Sequence, residues 1–191
     1  MPQNLVPVLL TCWKRPEKVL RVIESLKIIS PKIIYASCDG PNKNIPGNKE
    51  KVEQTKKVLL EKINWDCDLK TKFFLENNGC RMAITKSIDW FFENETEGII
   101  IEDDCLPSEE FFVFCSELLK RYRYNYKIWS ISGTNFQNGK WRGEGSYYYS
   151  KYFQCWGWAT WRDRWKNMDS DLDAWKNDKE KILVSKFFNS K

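Results

Sequence analysis

The 191-residue chain contains no histidine. That absence excludes a Ser–His or Cys–His nucleophile pair, a histidine general base and every histidine-ligated metal site within this sequence. Acid–base chemistry must come from Asp, Glu, Lys, Tyr or Cys. No apolar run approaches the roughly 20 residues that a membrane-spanning helix needs. The Met1-Pro2-Gln3-Asn4 start lacks the positive region of a secretion signal. None of the seven cysteines falls in C-x-x-C spacing and their number is odd, which argues against zinc ribbons and thioredoxin-like motifs. They read as reduced, mostly buried thiols of a cytoplasmic protein. No run of five Lys or Arg occurs, and 31 basic against 26 acidic residues leave a net charge of +5. An excess that small suits anionic small molecules or an acidic membrane surface, and it argues against nucleic acid. Repeats and low-complexity linkers are absent as well.

What is present is a globular composition, with 42% hydrophobic and 30% charged residues. The length fits one domain. Leu5 to Leu10 reads as a buried strand. Pro16 suits a first helical position, and Val19, Leu20, Ile23, Leu26 and Ile29 follow at helical spacing. Ile33 to Ser37 predicts a second strand, ended by Asp39-Gly40-Pro41. Pro41 to Asn48 predicts a loop, Lys49 to Ile63 a basic amphipathic helix, Lys72 to Leu75 a short strand, and Gly79 to Phe92 a further helix. Gly98 to Ile101 reads as a central strand. Ser108 is placed to cap the helix running through Phe111, Phe114, Leu118 and Leu119, and Ile128 to Ser132 is again strand-like. This alternation predicts an α/β fold: a mainly parallel sheet with helices on both faces. Ligands of such sheets bind beyond the carboxyl ends of the strands, which directs attention to Arg15, Asp39 and whatever follows Ile101. From Lys140 onward the texture becomes aromatic, with Tyr147-Tyr148-Tyr149, Tyr152 and six of the ten tryptophans, and reads as a second lobe of the same domain.

Three acidic groups compete for a metal: Glu102-Asp103-Asp104, Asp66-Cys67-Asp68 and Asp171-Leu172-Asp173. Only the first directly follows an apolar strand. Three carboxylates at the end of a buried strand repel one another and stay ionised together only with a cation among them. A hard divalent ion, Mg2+ or Mn2+, meets that need with oxygen ligands. A simple acidic turn is the competing account. In an extended segment Glu102 and Asp104 face one way and Asp103 the other. Arg15 offers a guanidinium able to fork onto a diphosphate, or to form a surface ion pair. Asp39 offers a carboxylate for the imide N–H of uracil, against the plainer reading of an Asp-Gly turn.

Four stretches together carry a family resemblance. They are Val6 to Arg15, Ile34 to Asp39, Gly98 to Asp104 with Phe111-Phe112 behind it, and Tyr152 to Trp161. The chain resembles glycosyltransferases of the GT-A fold, in particular the alpha-mannosyl-glycoprotein beta-N-acetylglucosaminyltransferases and bacterial hemolysin-like GT-A proteins. The resemblance implies a metal-dependent inverting transfer from a UDP-sugar to a glycan or other hydroxyl acceptor, in a single domain over 1–191. Residues 1–135 would form the nucleotide-sugar lobe and 136–191 the acceptor-side lobe. It implies metal binding by Asp104, ribose contact by Asp103, sugar contact by Glu102, diphosphate binding by Arg15 and uracil recognition by Asp39. Trp156-Gly157-Trp158 would line the acceptor side, where aromatic faces suit the C–H faces of sugars. The relatives carry their inverting base as an Asp after a Trp in a later segment. Asp163, Asp169, Asp171, Asp173 and Asp178 stand in no matching context, so the base is expected beyond Lys191 and the chain reads as cut short. A carbohydrate-binding remnant is the first alternative. A sugar nucleotidyltransferase is the second, disfavoured because Trp13 to Pro16 holds no glycine. The basic Lys49–Lys62 helix offers peripheral contact with an acidic membrane.

Overall fold

The computed structural model describes residues 5–141 and 143–168. The first strand, β1 (Val8–Cys12), leads into α1 (Pro16–Ile29), whose proline sits in the first turn as its fixed φ and missing N–H favour. Then follow β2 (Ile33–Cys38), α2 (Asn48–Lys62), β3 (Asp68–Phe73), α3 (Cys80–Asn94), β4 (Glu97–Glu102) and α4 (Glu109–Tyr122). Two strands close the described chain, β5 (Ile131–Ser132) and β6 (Trp158–Trp161), with the short α5 (Arg162–Trp165) after them. The sheet order is β3-β2-β1-β4-β6-β5. The first four of these strands run parallel, whereas β6 is antiparallel to β4 and β5 is antiparallel to β6.

Side-chain alternation along the strands builds the two faces. Val8, Leu10, Ile34, Ala36, Ile99 and Ile101 turn one way, onto α1, α2 and α4. Leu9, Tyr35 and Ile100 turn the other way, onto Ile88, Phe91 and Phe92 of α3. Central parallel strands must be apolar on both faces because helices cover both. Each fully buried Leu, Ile or Phe in these layers stabilises the fold by about 1.5–3 kcal/mol relative to exposure. The sheet is thus mixed, mostly parallel and flanked by helices. Among the described residues no helix is long and apolar enough to cross a membrane.

Three expectations need correction. The third strand is Asp68–Phe73, not Lys72 to Leu75. It lies at the sheet edge with every residue at least partly exposed, so its apolar signal is weak, and Lys70 and Lys72 keep the edge charged. The stretch Ile128 to Ser132 contributes just Ile131–Ser132. The cysteines are free but not mostly buried: Cys38 and Cys115 are buried, Cys80 and Cys155 exposed, and Cys12, Cys67 and Cys105 between.

Candidate functional site

Strand order reverses at β1. The chain leaves β1 toward β2 on one side, and returns to its other side as β4. In open α/β sheets this switch point opens a crevice outside the carboxyl ends of the two strands. Trp13, Lys14 and Arg15 follow β1 there, and Glu102, Asp103 and Asp104 close β4.

These residues meet across 88 positions of sequence. Arg15 donates from Nε to Asp103 Oδ2 at 3.1 Å, and its Nη2 donates to the second oxygen of the same carboxylate. Nη2 also reaches Asp104 Oδ2 at 3.2 Å. The β1–α1 loop is therefore tied through Arg15 to a carboxylate with 3% of its side chain exposed. The segment does not stay extended, because the Cys105 amide closes a turn onto the Glu102 carbonyl at 3.0 Å. The turn sends Asp103 inward and leaves Asp104 in solvent, with 40% of its side chain exposed. The expected alternation of the three carboxylates fails for this reason.

A cation does sit among the carboxylates, and it is the Arg15 guanidinium. Its pKa is raised by the hydrogen bond to Asp103. Burial pushes the Asp103 carboxyl up, against the pull of Arg15. Glu102 is raised too, first by burial and then by repulsion from Asp104 and Asp103. Among the described residues no three Cys, Asp or Glu side chains converge as a ready-made metal cluster. A site of one exposed carboxylate plus substrate phosphates still matches the oxygen chemistry of Mg2+ or Mn2+, and Asp104 is such a carboxylate.

Asp39 has another occupation. Its Oδ1 accepts from the Gly40 amide at 2.9 Å, the Asn78 amide at 3.0 Å and Asn78 Nδ2 at 3.1 Å. Its Oδ2 accepts from Asn77 Nδ2 at 2.8 Å. A carboxylate has about four acceptor positions, and the Gly40 amide together with the loop after β3 fills them. Gly40 allows this approach, since a Cβ there would fall inside the Glu76 backbone. The buried Asp39 holds two strand-end loops together, and its contacts give no support to uracil recognition. Asn77 and Asn78 were marked by nothing beyond the turn-forming Asn-Asn-Gly run.

The rival acidic pair is dispersed, with Asp66 in a surface ion pair to Lys32 at 2.7 Å and Asp68 opening β3. Asp163 pairs with Arg164 at 2.7 Å. Asp169, Asp171, Asp173 and Asp178 lie outside the described residues.

A cavity of about 1180 Å3 runs between α4 and the chain from Gly133 to Gln154, and none of Arg15, Glu102, Asp103 and Asp104 lines it. Phe111, Phe114, Tyr147, Tyr149, Phe153 and Trp158 are among its walls. Of the expected acceptor-side residues, Trp156 is 63% exposed, whereas Trp158 is 8% exposed and is the first residue of β6. Trp158 meets the Phe153 ring edge-on at 4.9 Å. Gly157 has φ +70°, a left-handed conformation that favours glycine, and a Cβ there would come 3.4 Å from Phe111. Neither protein-family models nor curated proteins gave a match to this sequence.

Proposed function

We propose that the chain is a GT-A-type, metal-dependent inverting glycosyltransferase that moves a sugar from a UDP-sugar to a glycan or other hydroxyl acceptor. The observation that carries this reading is the pairing of Arg15 with Asp103 and Asp104 at the β1/β4 switch point. It gathers an anion-binding guanidinium and an exposed oxygen donor where such sheets take their ligands. Asp104 would hold Mg2+ or Mn2+, which neutralises charge on a departing diphosphate when bound.

The remaining steps belong to the chain's own groups. Arg15 engages Asp103 through its Nε–Nη2 edge and presents its Nη1–Nη2 edge to the diphosphate. Asp103 positions the guanidinium and, being turned inward, is reassigned from ribose contact to positioning. Glu102, half-buried beside it, faces the transferred sugar in this reading. The aromatic cavity receives the acceptor in this reading, with Trp158 in its wall. The same cavity favours a second reading, a carbohydrate-binding protein without transfer.

Calorimetric titration of UDP in the presence of Mn2+ tests the donor site. Asp104→Asn is expected to weaken binding at least tenfold. Equal affinity of wild type and variant removes Asp104 from the site. Release of UDP from UDP-sugars, measured with and without glycan acceptors, separates the two readings: binding without turnover selects the second.

A further inference from the structure

We propose that Arg15 is a latch that couples two ligands: it competes with a divalent cation for Asp104, and a diphosphate competes with Asp104 for Arg15. The inference rests on the donor-site reading above and adds cooperativity between cation and diphosphate through one shared ion pair.

The two legs of the guanidinium differ. The Asp103 leg is a two-bonded fork onto a buried carboxylate. The Asp104 leg is a single bond of 3.2 Å between side chains that are 39% and 40% exposed. Because Nη2 serves both carboxylates, the weaker leg yields first when an anion approaches. Arg15 then keeps its place through Asp103 while Asp104 gains a free oxygen for the cation. An exposed ion pair changes an equilibrium by up to about fivefold. Linkage requires the effect to be reciprocal, so the cation must tighten diphosphate binding by the same factor as diphosphate tightens the cation.

The test uses Mn2+ alone, UDP alone and each at saturation of the other, titrated into wild type, Arg15→Lys and Arg15→Gln, with a thermal melt of each variant to confirm folding. Arg15→Lys keeps the charge and loses the fork. It is expected to bind Mn2+ alone about threefold to fivefold more tightly than wild type, and to show correspondingly less tightening by UDP. Binding of UDP and Mn2+ to each other in solution is common to all proteins and cancels in the comparison. Unchanged Mn2+ affinity in Arg15→Lys, with tightening confined to Arg15→Gln, is the signature of simple charge removal and overturns the latch. Wild type that binds no UDP even with Mn2+ overturns the donor site itself, a distinct result.

Discussion

The sheet is built differently on the two sides of β4. On the β1–β2 side, long parallel pairings alternate apolar residues between two helical layers, and Leu9, Leu10, Ile34 and Tyr35 are wholly buried. On the other side, β6 and β5 form short antiparallel pairings, and the chain between them is held largely by rings and hydroxyls. Tyr122 Oη lies 2.6 Å from Tyr147 Oη and 2.7 Å from Tyr149 Oη. Gly133 and Gly157 lie against Phe111 and bond to each other, amide to carbonyl, at 3.0 Å. Arg164 is buried between the Trp161 and Tyr126 rings, with centroids at 4.3 and 4.5 Å. The first region is defined by periodic burial, the second by individual contacts. Local opening should therefore begin in the second, which has fewer buried apolar residues to lose.

Substitutions in the two regions measure that difference. Phe91→Ala acts on the layered side, where its ring packs edge-on against Tyr35 at 4.9 Å and is fully buried. It should cost about 3–5 kcal/mol and lower the denaturation midpoint of the whole domain together. Gly133→Ala acts on the aromatic side, where the new methyl would overlap the Phe111 ring. A cost of about 1–3 kcal/mol is expected, and it should shrink in a Phe111→Leu background if that ring is the obstacle. Near-UV circular dichroism should report the ring's displacement.

Two milder changes sharpen the contrast further. Tyr122→Phe removes the hydroxyl shared by Tyr147 and Tyr149. Proteolysis between Gly133 and Gln154 should accelerate while the global melting temperature hardly moves. Glu102→Gln should have the smallest effect and the clearest pH signature. The Glu102 pKa is raised in the folded protein. The folded state then binds more protons than the unfolded one above the ordinary carboxyl pKa, so stability falls as pH rises through the folded value. Glu102→Gln should reduce that fall. Melting temperatures across pH 4–8 check it, and Asp103, shifted in the same direction, accounts for the part that remains.

The same contrast explains what could be read from residue order. Apolar periodicity was enough for α1, β2, α2, α3, β4 and α4, because burial on both faces writes itself into local spacing. It also located the strand ends where Arg15 and Glu102 to Asp104 lie. β6 was missed as a strand, although Trp158-Ala159-Thr160-Trp161 consists largely of strand-favouring residues. From the sequence, Trp158 reads as an acceptor-side residue rather than as a strand residue; in the fold it lines the cavity, while Trp161 packs in the core beside β4. Pairings over long separations left no local trace. Nothing near Arg15 announces Asp103, and nothing near Asp39 announces Asn77 and Asn78.

That long reach has a consequence for the timing of synthesis. A ribosome adding about 5–20 residues per second emits the Arg15 guanidinium roughly 4–18 s before Asp103, 88 positions later. Through that interval the emerging strands can pair, yet the charge balance of the corner stays open. The Arg15 corner thus gains its carboxylate partners only after β1 to β4 have all been made, and a ribosome stalled before Asp103 would carry those four strands with the Arg15 charge unbalanced.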